Sequence, residues 1–408
     1  MKKINDLWRV FVSIILVLAS KFIKRRKNWL AFGAWKGTLY IDNSRYLLET
    51  ALSSYGKDYV FVWIGNSDVA KKLPKDSRIR CVKMNSFKSI RYLLRCKYMF
   101  CSQMHFEDLS NYNVFKGAVI TYLHHGCPLK RWGDDASRNN TNQKNKRQLV
   151  SDITGRNIKY NYFVCSSEAH FIVNLSALKS RGCNDLNNLR TGTPRNDLLF
   201  KKNNKESIEK YKSKYSKLLK FEKDKRVVLY VPTFRRSGVC NESLVYRDSK
   251  EIDQLKEILD KHNCVLIEKA HFAGKFNNLE NYKSCPEIIP CPKNVNLQEM
   301  LLFTDCMISD YSGAFLDYSI LDRPVIHYIY DYEFYRDVDS GLYYDFEEFQ
   351  CGMAARNYDE LLNSLDESLS DADADDGSIL RDKVRHKFME YEKGNASMQI
   401  LKKVVGNI

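Results

Sequence analysis

No GxxxxGK[ST] run occurs in the 408-residue chain, and no GxGxxG fingerprint follows a strand-like segment. Both absences speak against an ordinary ATPase and a dinucleotide-dependent dehydrogenase. CxxC pairs are missing as well, and no His/Cys cluster stands at metal-ligand spacing. The twelve cysteines are scattered singly, several inside apolar runs such as "NCVLIEK" (Cys264) and "TDCMIS" (Cys306), so they read as reduced thiols serving as small hydrophobes. No metal and no separate cofactor is expected. Internal repeats of solenoid period are absent. The chain also lacks an uninterrupted apolar run of the roughly 20 residues that span a bilayer: "LWRVFVSIILVLASKFI" (7–23) is broken by Arg9, Ser13, Ser20 and Lys21.

What is present is a folded protein's composition, 44% hydrophobic and 12% aromatic, over a length that predicts two domains. Lys and Arg number 65 against 50 Asp and Glu, a formal charge of +15, which suits a polyanionic partner. The basic residues Lys21, Lys24, Arg25, Arg26 and Lys27 directly follow the apolar run. That juxtaposition points to an anionic membrane surface, with residues 1–27 as a membrane-associating interfacial helix or single short signal-anchor on the cytoplasmic face, and a buried core helix as the alternative. Nucleic acid is not expected as a partner. A signal peptide is disfavoured because the strongest positive cluster follows the apolar stretch.

Short apolar runs that end in polar turns recur at 59–65, 78–84, 98–103, 118–126 and 160–167, and again at 226–234, 264–272, 287–292, 304–312 and 324–330. Helical stretches lie between them, which predicts parallel α/β sheets. The expected organisation is an N-terminal α/β domain over 28–200, a basic linking helix over 201–225, and a C-terminal α/β domain over 226–408 closed by a helix at 381–405. Two facing Rossmann-like domains of this kind suggest a cleft for a nucleotide-diphosphate donor. Ligands of open α/β sheets bind beyond the carboxyl ends of the strands, so the polar residues there are the site candidates: His124, His125, Thr233, Arg235, Lys269, His271, Ser309, Asp310 and Ser312.

The stretch "ISDYSGAFLDYSILDRPVIHY" reads as strand, polar turn, helix from Ala314, strand. A turn leading into a helix offers backbone donors to a phosphate, though Ser309, Asp310 or Ser312 would equally serve as an ordinary N-cap. In "YLHHGCPLKRWGDD" a histidine at a strand end is followed at once by glycine, a placement suited to a general base for a hydroxyl.

Five ordered motifs carry a resemblance over most of residues 37–350. They are His125-Gly126-x-Pro128-Leu129-Lys130, Gly192-x-Pro194-Arg195-x-Asp197, Tyr230-x-Pro232-Thr233-Phe234-Arg235, Lys269-x-His271, and the long stretch 309–337. The chain resembles the CDP-glycerol glycerophosphotransferase family of bacterial teichoic-acid and capsule synthesis, whose fold is GT-B-like. The resemblance implies transfer of glycerol phosphate from CDP-glycerol, the donor substrate, to a hydroxyl of a lipid-linked or polymeric glycan, with CMP released. It implies His125 and His271 as catalytic residues. Thr233, Arg235, Lys269, Ser309, Asp310 and Ser312 would surround the donor phosphates, with Asp310 capping the turn or orienting a neighbour rather than touching phosphate. His124, Lys130 and Arg195 are expected on the acceptor side or in the cleft. Departures are His124 in an aromatic position, Phe272 where proline is common, and Gly313 where Ser or Thr is common. Either adjacent imidazole could then be the base. The rival readings are another CDP-polyol such as CDP-ribitol as donor, a GT-B glycosyltransferase using a nucleotide-sugar, or a non-enzymatic binder of an anionic polymer.

Overall fold

The structure is a computed structural model that describes residues 2–136, 144–233, 235, 243–244, 249–270, 282, 285–370 and 377–406. Met1–His125, Trp132–Asp197 and Tyr391–Ile408 form one compact unit, and Gly126–Arg131 with Leu198–Glu390 form a second.

In the first unit seven strands make one wholly parallel sheet. They are β1 (Arg26–Gly33), β2 (Val60–Ile64), β3 (Ile79–Val82), β4 (Cys96–Cys101), β5 (Val119–Tyr122), β6 (Tyr162–Cys165) and β7 (Asn188–Arg190), ordered β3-β2-β1-β4-β5-β6-β7. Alternate residues of each strand point to opposite faces. Leu30, Phe32, Phe61, Trp63 and Phe100 therefore pack on one side, while Ala31, Val62, Ile64 and Met99 pack on the other. Burial on both faces explains the near-continuous apolar runs in the sequence.

The second unit repeats the plan with β8 (Arg226–Val231), β9 (Cys264–Glu268), β10 (Ile288–Pro290), β11 (Cys306–Ser309), β12 (Val325–Tyr328) and β13 (Met353–Ala355), ordered β10-β9-β8-β11-β12-β13. Cys264 and Cys306 are fully buried in their strands. In both sheets the strand order reverses beside the first strand, at β1/β4 and at β8/β11. Such a reversal opens a crevice at the carboxyl ends.

Three boundaries differ from the sequence expectation. Strand β1 begins at Arg26, inside the segment assigned to the membrane, because the Arg26 amide pairs with the Arg95 carbonyl and its guanidinium lies over the Trp29 ring. The basic helix spans Lys205–Leu219, capped by Asn204 and ended by a left-handed Lys220, and it belongs to the second unit. The single helix expected over 381–405 is two, Gly377–Phe388 and Ala396–Val404, with Gly394 at φ +74° between them. The second of these packs Ile400, Leu401 and Val404 into the first unit's core.

The N-terminal helix α1 (Lys2–Ala19) docks on the first unit through Ser13, whose hydroxyl accepts the Asn113 amide, and through Leu16. Its other side leaves Leu7, Trp8, Phe11, Ile15 and Leu18 exposed, and Phe22 beyond it is 89% exposed. No helix among the described residues is long and apolar enough to cross a membrane. Arg25 does not face outward with its basic neighbours. Its guanidinium donates to the carbonyls of Leu93, Cys96, Val114 and Lys116, tying the ends of several loops together. Replacing Arg25 by Met strands these acceptors and should lower stability by about 1–3 kcal/mol. Lys24→Ala, on an exposed side chain, should stay within about 0.5 kcal/mol. Urea denaturation of both variants checks the contrast, and equal midpoints would remove Arg25 from the fold's supports.

Candidate active site

Strand β5 ends at Tyr122, and the next three carbonyls leave the ladder. Asn43, in the first turn of helix α2 (Asp42–Ser54), donates its Nδ2 to the Leu123 carbonyl at 3.0 Å and the His124 carbonyl at 2.7 Å. Arg195 Nη1 donates to the His125 carbonyl at 2.7 Å and to Asp42 Oδ1 at 3.2 Å. The Arg195 amide in turn donates to Asn43 Oδ1 at 2.9 Å. Within this clamp His124 takes φ +61°, a left-handed conformation that costs a non-glycine residue roughly 1–2 kcal/mol. Gly126 follows at φ +138°.

The turn sorts the two adjacent histidines. His124 points inward, 2% exposed, with ring centroids 4.3 Å from Tyr122, 4.5 Å from His170 and 5.3 Å from Trp132. Burial, reinforced by His170 and His125, holds it well below the ordinary imidazole range, so it stays neutral. Burial also pushes His170 down to about 3. His125 points outward and is exposed.

The segment after Gly126 packs in the second unit. Lys130 is bridged antiparallel to Leu342, the Tyr343 amide donates to the Leu129 carbonyl, and the Arg131 amide to the Gly341 carbonyl. A Cβ on Gly313 would lie 3.1 Å from the Cys127 carbonyl oxygen, so a serine or threonine there would force this segment to shift slightly.

At the β8/β11 reversal, Asp310 is a backbone organiser. Its carboxylate accepts the Thr233 amide at 2.9 Å, the Tyr311 amide at 2.6 Å and Arg235 Nη1 at 2.8 Å. Arg235 is only 2% exposed; it also grips Asp331 through Nε at 2.7 Å and Nη2 at 3.0 Å, and donates to the Thr233 carbonyl. Tyr311 and Tyr335 flank the guanidinium. Burial pulls its pKa down, but Asp310 and Asp331 outweigh burial and hold it above the usual arginine value. Ser309 is fully buried and donates its single hydroxyl proton to the Val231 carbonyl at 2.9 Å.

Arg235 and Ser309, both expected beside the donor phosphates, are buried and bonded to their own unit. Their hydrogen-bonding capacity is taken by the fold: four of the five guanidinium donors and the one hydroxyl proton. Three groups retain something to offer. Thr233 Oγ1 has no hydrogen-bond partner among the described residues. The half-buried Ser312 accepts the Ala314 amide at 3.2 Å and keeps its own proton. The half-buried Lys269 has its pKa lowered by burial and lies 3.5 Å from the Pro292 carbonyl. His271, Phe234 and Phe272 lie outside the described residues. Asp42, Asn43, His170 and Asp331 were not singled out in the sequence. The first two lie in "YIDNSRYLLE" at the exit of β1, where the switch-point rule would have directed attention.

Two parallel α/β units put these polar residues at the strand ends beside the reversal points, where open α/β sheets bind ligands. The family of CDP-glycerol:poly(glycerophosphate) glycerophosphotransferases matches residues 16–406, and the chain belongs to it. Similar proteins include the teichoic acid poly(glycerol phosphate) polymerase of Bacillus spizizenii, 24% identical over all of this chain and 98% of that one. The teichoic acid glycerol-phosphate transferase of Staphylococcus aureus is 26% identical over 92% of each chain. Among solved structures, a variant of the wall teichoic acid polymerase TagF superposes with a TM-score of 0.76 at 20% identity, over 98% of this chain and 97% of that one, a likeness of fold.

The buried Arg235 pairing generates a prediction. Arg235→Met leaves Asp310 and Asp331 without their cation and should cost about 3–5 kcal/mol, seen as a lowered urea midpoint. An unchanged midpoint with weakened donor binding would return Arg235 to the ligand surface.

Proposed function

We propose that the protein transfers glycerol phosphate from CDP-glycerol to a hydroxyl of a teichoic-acid-type acceptor, with CMP as the leaving group. The acceptor oxygen forms a new bond to the phosphorus that carries glycerol, and the bond from that phosphorus to the CMP phosphate oxygen breaks. His125 takes the acceptor's proton. The observation that carries this assignment is the sorting of the histidine pair: one imidazole is buried and held neutral, and its neighbour is turned out to solvent on a clamped strand end. Thr233, Ser312 and Lys269 are the donor-phosphate ligands, since each offers a proton or a charge that the fold has not consumed. His271 is assigned to charge stabilisation on the diphosphate from its place in the Lys-x-His motif. Lys130, on the segment that packs in the second unit, is assigned to the acceptor side or the cleft by its motif alone.

Incubation of the purified chain with CDP-glycerol and a teichoic-acid primer should release CMP, whereas CDP-ribitol in a parallel reaction should release far less. His125→Ala should lower kcat by about 10²–10⁴-fold with an unchanged melt. Near-normal turnover by that variant would move the base elsewhere.

The same reading places the enzyme on the cytoplasmic face of the membrane, attached peripherally through α1. Support comes from the exposed apolar side of α1 beside Lys21, Lys24 and Lys27. Because Arg25 belongs to the fold, substitution tests this better than truncation. A Trp8→Ser, Phe11→Ser, Phe22→Ser variant should keep the wild-type melt and lose most sedimentation with phosphatidylglycerol vesicles. Undiminished pelleting would put the attachment elsewhere.

A further inference from the structure

We infer that Asn43 and Arg195 are positioning residues that aim the imidazole of His125, and that Arg195 is itself aimed by Glu392 from the C-terminal segment. The inference rests on the assignment of His125 as the base. All of the groups involved lie within the first unit.

The Leu123 amide still donates to the Cys101 carbonyl at 2.9 Å, but the carbonyls of residues 123–125 leave the sheet, and their direction decides which of two adjacent imidazoles meets solvent. Asn43 holds the carbonyls of Leu123 and His124, and Arg195 holds that of His125. Three consecutive carbonyls are thus gripped by two residues that are also tied together, the Arg195 backbone amide donating to Asn43 Oδ1. A single side chain would leave a hinge; two linked ones leave none. The left-handed turn at His124 persists only if its surroundings over-determine it.

Arg195 needs support of its own, because it sits on a short turn after β7. Glu392 supplies that support. Its carboxylate accepts the Thr193 amide at 2.9 Å, the Thr193 hydroxyl at 2.7 Å and the Asn196 side-chain amide at 3.1 Å. Gly192 has to be glycine here, since its φ is +77° and a Cβ would lie 2.6 Å from the Glu392 carboxylate. Asp42 completes the aim by accepting Arg195 Nη1. Arg195 therefore acts on the reaction through the His125 peptide, in place of the acceptor-side role that its motif suggested.

The test is a double-mutant cycle on the full-length enzyme. Arg195→Met, which keeps the aliphatic stem, should lower kcat by up to about 10²-fold, the scale expected of a base displaced by an ångström. KM for donor and acceptor should each stay within about threefold, since no substrate contact is removed. In a His125→Ala background the same substitution should cause no further loss. Asn43→Asp, nearly isosteric and still able to accept the Arg195 amide, should reproduce the kcat effect even if the arginine variant folds poorly. Losses that multiply in the His125→Ala background, or a raised KM at unchanged kcat, would show Arg195 touching substrate and overturn the positioning role alone. Near-wild-type turnover by His125→Ala would overturn the base assignment and the positioning role together.

Discussion

The structure depends on how a parallel sheet disposes of the backbone at its carboxyl ends. Where a strand leaves the ladder, its next carbonyls and amides lose their partners, and an unpaired buried group costs as much as a lost hydrogen bond. Each unit meets this demand with side chains that a sequence reader would assign to chemistry. Asn43 and Arg195 satisfy the carbonyls after β5, Asp310 accepts amides after β8 and β11, and Ser309 donates back to Val231. The polar rim is a layer of backbone partners first. Only the groups left over after that layer is satisfied are available to a ligand.

The Arg235 cluster shows the same economy at higher stakes. Two carboxylates and one guanidinium are removed from water together, and the desolvation of such a set roughly cancels its Coulombic gain. Its value lies in geometry more than in net stability. Asp310 receives Arg235 and the Thr233 amide on one carboxylate, so the end of β8 is set against the turn after β11. Thr233 is held in place by its amide while its hydroxyl stays uncommitted.

Much of the fold was legible in the sequence because both faces of each sheet are buried. Runs such as 59–65 and 264–268 announce themselves as strands by apolar continuity, and polar turns mark their ends. What escaped has local causes. Strand β1 opens with Arg26 and Lys27, so its start was absorbed into the basic cluster; β7 and β13 are three residues long, too short for any periodicity. The site was legible as a set of positions and illegible as a set of roles. Which of His124 and His125 faces inward depends on a left-handed residue and on Asn43, some 80 positions away. Whether Arg235 faces solvent depends on Asp331, a further 96 positions along. Motif matching locates such residues, but their partners lie outside the motif.

The N-terminal segment extends this argument from the site to the surface. Charge and hydropathy treat residues 7–27 as one amphipathic unit, yet the fold divides it. Ser13, Leu16, Ile23 and Arg25 are taken up by the first unit, while Trp8, Phe11, Phe22, Lys21, Lys24 and Lys27 are left outside. The proposed association with a bilayer draws on that exposed group together with Leu7, Ile15 and Leu18, through apolar insertion and through Lys–headgroup attraction of about 1 kcal/mol per charge near the surface. Three lysines and an apolar helix face are therefore what the fold leaves uncommitted for the proposed peripheral attachment.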